Sequence, residues 1–193
     1  MRSTRTPAAL RVLGWVTITL VLAAGGQLLR PVPDGMSLGP RLLGPLRPLV
    51  VAVQWVRVEN AFAAGQTARA FVLAEQALEL DPQDPGLWTA LVWRQAVQFA
   101  SPEREPDPAR RGRWLTSAID LAERGQDFVD RPGELSRLAG DVIQIQLRIG
   151  GTLPDWPGGL EGLLDEAERH YRRALERGDT RAELGLAGLD QLR

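Results

Sequence analysis

One set of offsets recurs in three places along this 193-residue chain. Ala70, Ala74 and Ala77 are followed five residues later by Pro82; Ala118, Ala122 and Gly125 by Asp130; Ala167, Tyr171 and Ala174 by Asp179. Steps of four and three residues return to one face of an α-helix. Alanine and glycine on that face let a second helix approach closely, while bulkier neighbours fill the sides. Any alanine-rich helix produces one such match by chance. Three with the same internal offsets point to a repeated unit.

The punctuation between these sets is helical. Leu, Ala, Glu and Gln up to Leu80 are good helix formers, and Asp81-Pro82-Gln83-Asp84-Pro85-Gly86 cannot continue the helix they make. Each set is preceded by the material of a first helix. One runs from about Leu49 with Trp55 and Phe62 seven apart and Gly65 at its end. One starts near Trp88 and Leu91, and one from about Glu134 has Leu135, Leu138, Val142 and Ile145 as an apolar stripe. Ala182–Leu192 reads as a lone last helix. No strand pattern is evident, so the fold class is all-α.

With Trp88-x-x-Leu91 in a first helix and the small-residue spacing in the second helices, residues 49–193 resemble the tetratricopeptide repeat family, in a degenerate, membrane-anchored bacterial form. The resemblance implies an α-solenoid of about three helical hairpins plus a C-terminal capping helix. Each hairpin shares its core with the next, because one alone cannot bury its apolar face. It also implies a groove lined by the first helices, in which a polypeptide partner lies. The inward positions would include Trp55, Glu59 and Phe62 in the first hairpin, and Thr89 and Trp93 in the second. For Trp93 packing between repeats is favoured over contact with a partner, and Trp55 and Trp88 are assigned to packing outright. Trp55 and Glu59 stand where some family members carry residues that clamp a partner's C-terminal carboxylates, which argues against that type of ligand. The spacing departs from the usual repeat of about 34 residues. The closing positions 82, 130 and 179 are 48 and 49 residues apart, with the surplus in Ser101–Pro108 and Gly150–Gly159.

Ahead of the repeats, Val12–Leu29 is an 18-residue run without a charge, bracketed by Arg11 and Arg30. As a helix it would span about 27 Å, close to the roughly 30 Å of a bilayer core. An uncleaved transmembrane anchor over residues 1–30 competes with a secretory signal peptide whose small residues Ala23–Gly26 would be a cleavage site. The apolar run continues past those residues, which favours the anchor. Residues 31–48 hold five Pro and three Gly and read as a linker, with Pro48 starting the first helix. Residues 1–50 carry six Arg against Asp34 alone, and the rest carries 17 Arg against 23 acids. A basic arm on an acidic body suits a membrane and not a nucleic acid. The slight excess of Arg before the run places the N-terminus inside, and so the repeats on the non-cytoplasmic side of a cell inner membrane as a single-pass protein. A cytoplasmic body is the open alternative.

The chain has no cysteine, no lysine and one histidine. Thiolate metal sites and disulfides are thereby excluded, and the all-Arg basic set reads as genome composition. His170 sits in Asp165–Leu175 among charges, expected at a helix surface beside Glu166 four residues earlier. No catalytic residues, metal ligands or small-molecule cofactor are expected. Arg110, Arg111 and Arg113 are expected to be solvated around a helix start, the alternative being contact with an anionic partner or lipid headgroups. Trp156, between Pro154 and Pro157, is either tucked under the fold or offered to a partner. The functional expectation is a membrane-tethered, protein-binding scaffold at the cell envelope. The alternative is a structural subunit of a membrane complex with no peptide binding of its own.

Overall fold

The computed structural model describes residues 43–149 and 152–193, which form helices joined by turns and loops, with no strand among them. The expected membrane span over residues 12–29 and most of the 31–48 linker lie outside them. No helix among the described residues is long and apolar enough to cross a membrane. Two compact units divide at Asp81/Pro82.

In the first unit, a short 3-10 turn at Gly44–Leu46 leads into α1 (Arg47–Ala63), and α2 (Thr67–Leu80) packs back along it. Helical structure therefore starts a few residues inside the expected linker, and Pro48 is the second residue of α1. An amide hydrogen is not needed in that first turn. The reversal rests on Gly65, whose φ of 72° suits a residue without a Cβ. Gln66 N–H donates to Ala61 O at 2.9 Å and Gly65 N–H to Phe62 O at 3.0 Å, the paired closure of a Schellman motif. Ala70, Ala74 and Ala77 of α2 are fully buried, facing Val51, Val58 and Ala61 as the apolar buried positions of α1. Gln54, also buried in α1, donates from Nε2 to Leu73 O at 3.1 Å and to Gln76 Oε1 at 2.8 Å. The Arg47 guanidinium closes the open end of the hairpin on the Asp81 carboxylate.

The second unit begins with α3 (Pro85–Trp93), which runs on as a π-helical turn (Arg94–Phe99). Then follow α4 (Pro108–Gly125), α5 (Pro132–Arg148), α6 (Gly159–Glu176) and α7 (Ala182–Asp190). An Asp-Pro pair starts both α3 and α4. Asp84 accepts from Gly86 N–H at 2.8 Å and Asp107 from Ala109 N–H at 3.0 Å, with Pro85 and Pro108 as the first helical residues. Helix α3 packs on α4, α5 on α6, and α5 also on α3 and α4; α7 packs on α6 and α5. Helix α3 thus contacts its own partner α4 and also α5, which opens the next pair, while α5 contacts its partner α6 and the last helix α7. The apolar seam contains Leu87, Trp88, Leu91, Leu115, Ile119, Leu135, Val142, Ile143, Leu163 and Leu164, all buried.

Within this seam the second and third small-residue sets do the work their spacing implied. Ala118, Ala122 and Gly125 are buried on α4, and Ala167, Tyr171 and Ala174 on α6. A methyl on Gly125 would lie 2.7 Å from both Leu135 Cδ1 and Trp88 Cδ2, so the close approach of these helices depends on its absence. The Tyr171 ring occupies the space left by Gly140 of α5 and Gly185 of α7; a Cβ on Gly140 would come within 2.8 Å of it. Its hydroxyl donates to Asp141 Oδ1 at 3.0 Å.

Candidate partner-binding surface

Trp55, Glu59 and Phe62 stand at steps of four and three along α1, on a flank between its buried and exposed sides, and each is half-buried. Phe62 meets Phe71 of α2 edge-on, with ring centroids 5.3 Å apart and planes at 88°. Phe62 is therefore engaged in packing within the hairpin. In the second unit Thr89 and Trp93 are one turn apart on the outer side of α3; Thr89 is exposed and Trp93 is 42% exposed. The sequence-selected residues thus form two sets, one in each unit: a half-buried flank and an exposed pair.

Trp88, next to Thr89, faces the other way. It is 3% exposed, its Nε1–H donates to Pro82 O at 2.7 Å, and its ring stacks on Phe128 at 5.9 Å with Arg124 over it at 5.6 Å. The packing role expected of Trp88 is what the structure gives. Trp93, turned about 100° along α3 from the buried Val92, is 42% exposed.

His170 departs from its expected place. It is fully buried on α6, not at a charged surface, because the step from the buried Ala167 to the buried Ala174 carries position 170 to the inside. Its Nε2 lies 3.0 Å from Glu166 Oε1, but neither ring nitrogen makes a hydrogen bond. Burial pushes the imidazole pKa below its usual 6.5, against the opposing pull of Glu166 and Glu123. A neutral ring beside a carboxylate can accept or pass a proton, but among the described residues no hydrogen bond to either ring nitrogen orients it. The surface groove of about 580 Å³ on the other side of α6 is lined by Asp165, Glu168, Arg169, Arg172, Arg173 and Glu176. Its charges are neutralised locally: Arg169 pairs with Glu166, Arg172 with Glu168, and Arg173 with Glu123 at 2.7 Å. Among the described residues no group of three or more acids or histidines is arranged to hold a metal ion.

The arginine cluster at the start of α4 is divided, so its expected solvation fails at the middle residue. Arg110 is exposed, near Glu105 and Asp107, and Arg113 is exposed beside Trp114. Arg111 is 1% exposed and donates from Nη2 to Thr152 O and, at 3.4 Å, to Leu153 O. The two long insertions meet here: Asp155 N–H donates to Pro108 O at 2.9 Å. Trp156 is half-buried, its Cδ1 near Gly162 of α6. Sequence reasoning missed this joint, and its one available signal was the Gly112 that follows Arg111.

At the end of α6, Gly178 with φ 85° closes the helix as Gly65 closes α1, and Asp179 is buried behind it. Arg137 Nε donates to Asp179 Oδ2 at 2.9 Å and Arg181 Nε to Asp179 Oδ1 at 3.0 Å. Burial works to raise the Asp179 pKa, but the hydrogen bonds from Arg181 and Arg137 outweigh it and hold the carboxyl below its usual range.

No family model matches the chain, and no curated protein or solved structure matches it.

Proposed function

We propose that the chain is a membrane-tethered scaffold of the tetratricopeptide type, anchored through residues 12–29, whose first helices hold a polypeptide partner at the cell envelope. The observation that carries this reading is the burial of all three recurring residue sets, on α2, α4 and α6, with a pairing order in the second unit in which α3 also meets α5 and α5 also meets α7. Such units expose one side of their first helices, and Thr89 and Trp93 stand exposed on α3. An exposed Trp on a rigid helix suits partner contact, since Trp is enriched among the residues that dominate interfaces.

The test uses the full-length chain in cells, with a photocrosslinking amino acid at Thr89, Trp93 or Phe62 in turn and at Glu79 of α2 as control. The scaffold reading expects one discrete crosslinked polypeptide from the first three positions and none from Glu79. Equal or absent crosslinking at all four positions sinks it. A reporter fused after Arg193 decides which side of the membrane the repeats occupy, and the expected side is the non-cytoplasmic one.

A specific observation also favours the second reading, a structural subunit without peptide binding: α1 exposes aliphatic residues that a free-standing scaffold would not need. That reading expects crosslinks from the exposed side of α1 and none from Thr89 or Trp93.

A further inference from the structure

The two helices of the first unit meet solvent in opposite ways. Apart from Val72, the exposed positions of α2 include Arg69, Glu75, Gln76 and Glu79, an ordinary hydrated face. The corresponding side of α1, with the turn before it, presents Leu46 (60% exposed), Leu49 (54%), Val53 (56%) and Val56 (58%). Ala52, Ala63 and Asn60 lie on that arc and the exposed Arg57 stands at its edge, so its centre carries one uncharged amide as its polar group. The opposite side of α1 is already buried against α2 through Val51, Gln54, Val58 and Ala61. A helix apolar on both sides is stable in water only if both sides are covered.

We propose that this outer face of α1 lies on the surface of a lipid bilayer, so that the first hairpin is a second, peripheral membrane contact. The inference rests on the anchor reading of residues 12–29. Three observations select lipid over a protein partner. First, only residues 31–46 separate Arg30, at the end of the uncharged run, from α1. Gly44–Leu46 is already a 3-10 turn, so residues 31–43 set the reach of that connection, about 45 Å at most. It is therefore long enough to lay the helix flat on the membrane the chain leaves, and short enough to keep it concentrated there. Second, the charge fits anionic headgroups. Residues 30–57 contain Arg30, Arg41, Arg47 and Arg57 against Asp34, whereas residues 58–193 carry 16 Arg against 23 acids. Arg47 is held by Asp81, which leaves the exposed Arg57 at the rim of the face. Third, the face is aliphatic apart from Asn60 on it and Arg57 at its rim, and it carries none of the Trp or Tyr anchors that protein interfaces concentrate. It suits partition into a headgroup boundary.

The chain lacks cysteine, so a single introduced thiol reports one position. Full-length variants Val53→Cys, Val56→Cys, Glu79→Cys and Leu20→Cys, each labelled with an environment-sensitive fluorophore, are reconstituted into vesicles of phosphatidylethanolamine and phosphatidylglycerol. The lipids carry nitroxide quenchers at shallow or deep acyl positions. The expected result is deep quenching at 20, shallow quenching with a blue shift at 53 and 56, and a water-exposed label at 79. Unquenched, water-exposed labels at 53 and 56 with position 20 quenched overturn the bilayer contact and leave the anchor standing. A blue shift at 53 and 56 without lipid quenching also overturns it, in favour of a protein occupant such as a second copy. Loss of quenching at 20, with the chain failing to float with the vesicles, overturns the anchor and this inference together. The triple variant Leu49→Gln/Val53→Gln/Val56→Gln, altered only at exposed positions, abolishes the shallow contact read from a label at Ala52→Cys while leaving flotation intact. Unchanged quenching at 52 in that variant counts against the inference.

Discussion

The backbone carbonyl of Asp155 sits directly over the Cα of Gly112, leaving no room for a methyl group between α4 and the connection that precedes α6. A Cβ on Gly112 would lie well inside van der Waals contact with that oxygen, which Asp155 N–H holds in place by donating to Pro108 O at 2.9 Å. Because the obstacle is backbone, a rotamer change cannot relieve it. Gly112→Ala is expected to destabilise the second unit by about 1–3 kcal/mol, the usual range for overpacking. Urea titration followed by circular dichroism measures this. A change below a few tenths of a kcal/mol would mean that the connection yields freely.

Trp88 and Trp93 lie five residues apart on the same chain segment and make opposite predictions. Trp88 is buried against Phe128 and Gly125, with its indole N–H satisfied, so Trp88→Ala is expected to cost about 3–5 kcal/mol. Trp93 is 42% exposed, and Trp93→Ala is expected to leave stability within about 1 kcal/mol while weakening partner capture. Melting curves of the two variants, set beside the crosslinking yield at Thr89, separate the roles. Comparable stability losses would assign Trp93 to the core.

The helical hairpins were legible because their signal is local and periodic. Ala70, Ala118 and Ala167 begin stretches whose period alone puts them inside, and Asp81–Gly86 marks a break between helices by backbone chemistry. What depends on contacts between distant residues was not legible. Arg111 looked like one of three solvated arginines, yet its partners are carbonyls about 40 residues away in a loop whose path no local pattern encodes. His170 was misplaced for a related reason. Charged neighbours on both sides suggested a surface, but rotation about the helix places one residue among them inside, and the small-residue frame around it already fixed which one. Sequence reasoning assigned Trp88 to packing, where it is buried, but favoured packing for Trp93 as well, which is 42% exposed. It did not show that Phe62 is engaged by Phe71.

The buried imidazole of His170 makes stability depend on pH below neutrality. Its folded-state pKa lies below the ordinary 6.5, so near pH 7.5 both folded and unfolded forms are neutral there and nothing is lost. As the pH falls through 6.5 the unfolded chain takes up a proton that the folded chain resists, and stability decreases by at most about 1.4 kcal/mol per pH unit. Glu166 and Glu123 face the ring and reduce the effect; Arg173 and Arg169 enhance it. His170→Gln is expected to remove this slope between pH 7.5 and 5.5. Unfolding free energies of both proteins at the two pH values provide the check, and parallel changes in the two would exclude His170 as the source.

Tyr171 carries the clearest coupling between the packing of the third pair and its polar rim. The hydroxyl donates to Asp141 Oδ1 at 3.0 Å, while Arg137 binds Asp141 from the other side and reaches on to Asp179. Burial raises the Tyr171 pKa above its usual value, so the phenol stays protonated and donates throughout the working range. The Asp141 pKa is raised by burial, against the pull of Arg137 and of this hydrogen bond. Between its unfolded value of 3.8 and the folded one, the native state holds a proton that the unfolded state has released, so stability falls as pH rises across that window. Removing the phenol hydroxyl deletes one of the influences that keep the folded value down. Tyr171→Phe is therefore expected to widen the window upward and to cost about 1–2 kcal/mol at pH 7, toward the low side of the range for hydrogen bonds to charged groups because Asp141 is 28% exposed. In an Asp141→Asn background the same substitution is expected to cost less, since no carboxylate is left without its donor. A double-mutant cycle at pH 7 reads the difference, and additive costs would show that the hydroxyl and the carboxylate act independently.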